Sequence, residues 1–241
     1  ILNIYNQTGV GIMADPITIQ ILRNKIAGLT DEMHYHFYRS GYSTIIRESR
    51  DFSCVVLDRL GGLIVAPPMF FHAPVYKHLV GRVLELHGDN GLYNGDVFVC
   101  NHPYEGGLPH VSDMAFIAPI FADSALVGFS GSIAHKADIG GTHPGSTSAT
   151  ATEIFQEGLL LPPVRIQEKG VYKNDLERLI LANSRQPELV RGDMRAQIAA
   201  TLIGVDRVSE LCGRFGVAAV VDAFAGILAG AGAELKATIA R

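Results

Sequence analysis

From Asn174 to its C-terminus the chain offers only helix, and that narrows the folds open to it. "NDLERLILANSR" carries apolar residues at helical spacing, Pro187 opens a new helix, and "PELVRGDMRAQIAATLIGVDRVSELCGRFG" keeps the same period. Every strand signal lies upstream. "FSCVVLD", "GDVFVCN", "MAFIAPIF" and "LVGFSGSIAH" are apolar runs bounded by turn residues. "RLGG" reads as a turn that folds "LIVA" back on "FSCVVLD" as a hairpin partner, and "ADSA" joins the last two runs. A doubly wound sheet would interleave strands with helices. Segregation instead predicts an α+β fold, a mixed strand-rich region followed by a helical block.

Two more helices are predicted before that block. Asp15 followed by Pro16 is an N-cap and first-turn signal, and Ile17, Ile21, Leu22, Ile26, Leu29, Met33 and Phe37 then recur at helical spacing up to Gly41. "APVYKHLVGRVLELHG" has the same period and ends at Gly88. "KADIGGTHPGSTSATATE" has no period and is small and polar; so long a loop in a compact chain is functional or disordered. The tail "FGVAAVVDAFAGILAGAGAELKATIA" comes nearest to a membrane span. Asp222 and Glu234 interrupt it and its glycines suit close packing, so a buried helix is expected and no membrane partner.

Length suits one large domain, since 241 residues can bury a substantial core without staples. Disorder is excluded by an apolar fraction of 48% against 18% charged residues. A formal charge of −4, with no Lys/Arg run longer than a pair, excludes an electrostatic nucleic-acid binder. Cys54, Cys100 and Cys212 are far apart in apolar surroundings, which predicts buried small hydrophobes and a reducing, cytoplasmic compartment. The N-terminus lacks the basic start and long apolar core of a signal peptide. Residues 1–13 are expected to be a leader or extraneous segment, with Met13 as a candidate natural start.

Chemistry concentrates at the strand edges. "ESRDFS" holds Glu48 and Asp51, "FFHAP" holds His72, "NHPYEGGLPHVSD" holds His102, His110 and Asp113, and "AHKADIGGTHPG" holds His135, Asp138 and His143. A metal site needs three or four N/O donors converging from separate segments. His110 and Asp113 form an H-x-x-D pair in the loop after the strand that ends at Asn101, and His135 closes a later strand. If the strands ending at Asn101 and His135 are neighbours the side chains meet, and Asp51, entering the first strand, supplies a second carboxylate. Two imidazoles with carboxylates suit zinc, manganese or iron(II). Each residue also has a structural alternative: Asp51 as a cap or a partner of Arg47 or Arg50, His110 as a loop histidine, Asp113 as a strand cap, His135 as a satisfied core histidine, and Asp138 as a turn residue. The arginines of "NSRQPELVRGDMRAQ" are expected on a helix face in ion pairs. No GxxxxGK[ST] loop and no G-x-S-x-G elbow is present.

Seven stretches fall in the order seen in one family. "DPITIQILRNKIAGLTDEM", "RESRDFSCVVLD", "GDVFVCNHPYEGG", "PHVSDMAFIAPIF", "AHKADIGGTHPGS", "ATEIFQEGLLLPPVRI" and "LERLILANSRQPELVRGDMRAQIAA" together resemble the hydantoinase B/oxoprolinase family over about residues 14 to 240. The resemblance implies a metal-binding subunit of an ATP-dependent cyclic-amide hydrolase that opens 5-oxoproline, hydantoins or lactams. Its partner would be a hydantoinase A-type subunit that binds ATP, in a hetero-oligomer. The alternatives it implies are a subunit of a ketone carboxylase of the acetone or acetophenone type, or a non-catalytic scaffold half of such a complex.

Carried over by motif, the family's metal positions match Asp51, His110, Asp113 and His135. Asp138 is then expected to orient His135, and Glu48 or His72 to transfer protons. Three positions depart from the family's pattern: His102 stands where relatives carry Asp, Lys136 replaces a second His, and Ser112 replaces Pro. The first two are expected to bear on substrate more than on metal, His102 foremost. Gly106 and Gly107 are expected to turn the backbone so that His110 and Asp113 are aimed. Family members of the B type are roughly twice this length, so residues 14–241 are expected to be the N-terminal portion of such a domain, truncated or split.

Overall fold

The computed structural model describes residues 14–88, 91–145 and 147–240. Residues 1–13, and the expectation placed on them, lie outside the described residues. Helix α1 (Pro16–Ser40) begins where Asp-Pro predicted: the Asp15 carboxylate accepts from the Ile17 and Thr18 N–H groups at 3.0 and 3.1 Å. Its buried face is Leu22, Ile26, Leu29, Met33 and Phe37. A π-helical turn (Ile45–Ser49) leads into strand β1 (Phe52–Asp58). Then come α2 (Ala73–His87), β2 (Val97–Cys100), the single-turn α3 (Pro103–Gly106), β3 (Asp113–Ala122) and β4 (Ala125–His135). The chain closes with β5 (Val164–Glu168), β6 (Val171–Tyr172), α4 (Asn174–Ala182), α5 (Pro187–Phe215) and α6 (Val217–Ile239).

The strands form one antiparallel sheet in the order β1-β4-β3-β2-β5-β6. Both faces are covered, which is why the strands read as continuous apolar runs rather than alternating ones. Cys54, Val56, Val99, Met114 and Phe116 belong to the core shared with α1, α5 and α6. Val55, Leu57, Phe98, Ala115, Ile117, Phe129 and Ile133 belong to the core under α2. Fully burying each large apolar side chain stabilises by about 1.5–3 kcal/mol. The mixed α+β expectation holds: strands and loops precede a helical block. The β3–β4 turn is tight because Asp123 and Ser124 both take positive φ, 49° and 65°, matching the sheet's twist.

Three sequence readings are corrected. "LIVA" is not a strand; only Leu57 and Leu63 form a bridge, and the full-length partner of β1 is β4. The hairpin starts, with Ile64 N–H donating to the Val56 carbonyl at 3.1 Å, but Pro67 and Pro68 lack the N–H groups needed to extend it. The tail helix α6 is not buried along its length. Val220, Ala223, Phe224 and Ile227 pack inward, whereas Leu235 and Ile239 are exposed. By length and composition alone α6 could cross a bilayer, a test that core helices of soluble proteins also pass. Finally, β5 and β6 add two strands to those the apolar runs predict. Their signal is the Lys169-Gly170 pair, φ 50° and 83°, between "VRIQE" and "VY".

Candidate metal centre

One end of the sheet carries the site. Asp113, first in β3, stands directly opposite His135, last in β4. Asp51 immediately precedes β1, and its carbonyl accepts the His135 N–H at 3.2 Å. Asp51, His135 and Asp113 therefore form a row across three neighbouring strands. Side chains alternate along a strand. Ala115 and Ile133 face α2, so Asp113 and His135 face α2 as well. His110 joins from the loop, where the Asp113 N–H donates to its carbonyl at 3.2 Å.

The side chains converge. His110 Nε2 and His135 Nδ1 lie 3.2 and 3.1 Å from Asp113 Oδ1, and His72 Nε2 lies 3.5 Å from Asp113 Oδ2. The two site imidazoles have ring centroids 4.8 Å apart. Burial pushes the Asp113 carboxyl up, but the imidazoles of His110, His135 and His72 facing it outweigh that and hold the group well below the usual carboxylate range. His110 is pushed above its ordinary value, first by its hydrogen bond to Asp113, against burial, and further by the charges of Asp113, Asp51 and Glu157. A metal ion would have to displace that proton, so its binding is coupled to pH.

The donor set fits a metal. One donor atom each from His110, Asp113 and His135 lie within 4.8 Å of one another. Two imidazole nitrogens with a carboxylate oxygen suit zinc, manganese or iron(II) rather than a thiolate-type structural site. His110 is half-buried while Asp113 and His135 are buried, so the cluster opens on the His110 side. Three protein donors leave a coordination position for water or substrate. Asp51 does not join the three within that distance; it acts on them through its charge on His110 and its carbonyl under His135.

Other candidate residues lie outside the three-donor set. Glu48 is exposed on the π-helical turn. His72 is 0% exposed and faces Asp113, which denies it direct proton exchange with a substrate. The expectation that Asp138 orients His135 is corrected, because the carboxylate touching His135 is that of Asp113. Asp138 accepts instead from the Gly140, Gly145 and Arg185 N–H groups at 3.0, 3.1 and 2.9 Å, and from the Arg185 guanidinium at 3.1 Å. It ties the long loop to the start of α5. His143 is exposed.

The departures from the family pattern also find places. His102 caps α3, its Nδ1 accepting the Glu105 N–H at 3.3 Å, a task an Asp performs equally well. Lys136 lies one residue past His135, so it points to the opposite face of the sheet. There it is fully buried and donates to Gln197 Oε1 at 2.6 Å. Lys136 is thus sealed away from solvent, whereas His102 is only partly buried. Gly107 makes the expected turn at φ +75°, and Gly106 is the last residue of α3. Arg191 and Arg195 pair with Glu188 and Glu177 at 2.6 and 2.9 Å, as the helix-face reading expected. All three cysteines are free and buried.

Asp138 supports a first prediction. Burial raises its carboxyl, but the N–H groups of Arg185, Gly140 and Gly145 and the Arg185 side chain outweigh that and lower it below 3.8. A depressed carboxylate contributes stability above its unfolded pKa, near 4, and loses it as pH falls through the folded value. Asp138→Ala should therefore destabilise by about 2–3 kcal/mol at pH 7, below the fully buried range because Arg185 reaches solvent. Urea unfolding at pH 7 and pH 3 should show the gap closing in acid. A gap that stays constant contradicts the assignment.

The family model for hydantoinase B/oxoprolinase matches residues 15–241. The chain belongs to the hydantoinase B/oxoprolinase family. Among relatives, it is 35% identical over 209 residues to the B-type component of a putative D-/L-hydantoinase from a Pseudomonas strain, covering 84% of this chain and 35% of that one. Among solved structures, the ATP-dependent caprolactamase of Pseudomonas jessenii superposes with a TM-score of 0.81 at 28% identity, covering 88% of this chain and 37% of that one. A nucleotide-free acetone carboxylase shares the fold, with a TM-score of 0.75 at 20% identity, covering 86% of this chain and 28% of that one. The chain thus spans about a third of the length of that hydantoinase component and of the caprolactamase.

Sequence reasoning missed residues whose signal is weak. Ser53 and Tyr76 sit in apolar runs and look like strand and helix filler, yet both bond beside His72. Asp193, in α5, accepts from the Tyr42 and Ser43 N–H groups at 2.6 and 3.1 Å and so anchors the segment after α1. A carboxylate inside an otherwise buried stripe of α5 was the available clue.

Proposed function

We propose that this chain is the metal-binding part of an ATP-dependent cyclic-amide hydrolase, acting with a hydantoinase A-type subunit that binds ATP. The observation that carries the reading is the convergence of His110, Asp113 and His135 at one end of the sheet. Family membership and the likeness to a hydantoinase component and to an ATP-dependent caprolactamase support the substrate class. His110, Asp113 and His135 would hold a divalent transition metal, and Asp51 is the proposed second carboxylate beside them, acting through its charge on His110 and not as a fourth donor. Such an ion, when bound, polarises a carbonyl or lowers the pKa of water.

The chain's own residues supply the rest. Asp113 presents Oδ1 to both imidazoles, which sets their separation. The backbone pairing of His135 with Asp51 and Asp113 fixes that imidazole on the sheet. Half-buried His110 stands on the open side, where substrate would enter. Glu48, exposed three residues before Asp51, is the proposed solvent-facing group for proton transfer.

The test is a substrate panel on the chain purified with its partner subunit. Ring opening of 5-oxoproline, a hydantoin or a lactam that requires ATP is the expected result. Bicarbonate-dependent consumption of a ketone, with no cyclic amide opened, would overturn it in favour of the carboxylase reading.

A further inference from the structure

The Asp113 carboxylate has two different sides. Oδ1 serves His110 and His135, whereas Oδ2 faces His72, which is fully buried and out of reach of any substrate. Behind His72 the polar contacts continue. Its Nδ1 lies 2.9 Å from Ser53 Oγ, and Ser53 Oγ lies 2.8 Å from the Tyr76 hydroxyl. Three structural elements contribute: β1 gives Ser53, the turn before α2 gives His72, and α2 gives Tyr76. Buried polar groups are costly unless each is satisfied, so a run of them beneath an apolar helix calls for an explanation.

We infer that Tyr76, Ser53 and His72 form a buried polar chain whose last member, His72 Nε2, stands against Oδ2 and holds the Asp113 carboxylate in the orientation needed to ligate the metal. The inference rests on the metal reading above. Donor and acceptor chemistry gives the chain its direction in this inference. An ionised carboxylate only accepts, so a hydrogen on His72 Nε2 faces Oδ2 across 3.5 Å, and Nε2 has no other hydrogen-bond partner among the described residues. Nδ1 then has a lone pair and accepts from the Ser53 hydroxyl. Ser53 Oγ, 2.8 Å away, in turn shares the single Tyr76 hydroxyl hydrogen with the Ser53 carbonyl, to which that hydroxyl donates at 3.1 Å. With His72 against Oδ2, rotation of the Asp113 carboxylate is opposed, and Oδ1 stays aimed between the two imidazoles.

The sheet makes room for this chain. Gly131, in the middle of β4, leaves the space over which the Tyr76 ring lies; a Cβ there would come within 3.0 Å of Tyr76 Cε1. The Tyr76 hydroxyl is thereby delivered to Ser53, whose backbone neighbour across the sheet is Ile133. His72, Ser53 and Tyr76 are positioning residues. Groups that orient a metal ligand from behind typically change metal affinity 10–100-fold when removed.

The test uses the full chain with cobalt(II), a visible probe for a zinc-type site, and long-range proton–nitrogen NMR of His72. In the wild type, His72 should be the Nε2–H tautomer. His72→Phe should weaken cobalt binding about 10–100-fold and Ser53→Ala about 10-fold, both with a shifted visible spectrum. Ser53→Thr, which keeps the hydroxyl, should restore both. If His72→Phe fails to fold, the Ser53 pair carries the test. An Nδ1–H tautomer in the wild type, or unchanged affinity and spectrum in folded Ser53→Ala, overturns the inference while leaving the metal site standing. Absence of any cobalt binding by the wild type sinks the metal reading and this inference together.

Discussion

A chain carrying both His110→Ala and His135→Ala is expected to lose turnover with its partner subunit by more than about 100-fold while keeping its fold. The magnitude follows from scale: changes one step behind a metal's ligands already cost 10–100-fold, and these substitutions remove two of the three proposed donors. The fold survives for an equally specific reason. His110 sits half-buried at the rim, and His135 occupies the last position of β4 with 9% exposure. Their loss leaves Asp113 with His72 as a remaining partner. An under-satisfied buried carboxylate costs about 1–3 kcal/mol, against a typical total stability of about 5–15 kcal/mol. Circular dichroism should show native helix content, and ring-opening assays should show the loss. A double variant with wild-type turnover would remove the site from the mechanism.

Lys136 gives the second large effect, on stability rather than on activity. Burial lowers its ammonium from 10.5 to about 8, against the opposing pull of the Asp193 and Asp113 charges. The sign is the reverse of an ion-paired lysine. A folded pKa below the unfolded one means that the group's contribution is fully present above 10.5 and is lost as pH falls through about 8. At 1.36 kcal/mol for each tenfold change in proton affinity, the penalty at neutral pH is about 3 kcal/mol. The stability of the wild type, measured against Lys136→Met by urea unfolding in chelator, should rise by about that amount between pH 7.5 and 10.5. Two curves that stay parallel across the interval contradict the burial argument.

Much of the site was legible because it rests on strand ends. The apolar runs ending at Asp58 and His135 and the run beginning after Asp113 are long and bounded by turn residues, so period and punctuation located them. Once β1, β4 and β3 are neighbours, the row Asp51, His135 and Asp113 follows from register alone. The helices from Asn174 onward were legible for the same reason, since their 3.6-residue period persists over many turns. The strand order itself was not legible: the strands ending at Asn101 and His135, expected to be neighbours, have β3 between them. A seven-residue strand cannot announce whether its partner is the next segment or one far along the chain, and "LIVA" was a plausible wrong partner until Pro67 and Pro68 are weighed. Roles were harder than positions. Asp138 and His72 both looked like site residues, and only three-dimensional contacts show Asp138 holding Arg185 and His72 standing behind Asp113. Lys136 and His102 looked like changes in substrate recognition. One is under the sheet and the other caps a single helical turn.

Everything proposed for this chain depends on His110, Asp113 and His135 holding a transition metal. Elemental analysis of the chain purified with its partner subunit reads that out without any assay of activity, on the wild type and on the His110→Ala/His135→Ala variant side by side. About one zinc, manganese or iron ion per wild-type chain and none in the variant is the expected result, as a three-donor site reduced to one donor requires. Full occupancy in the variant, or a wild-type complex without transition metal, would contradict it.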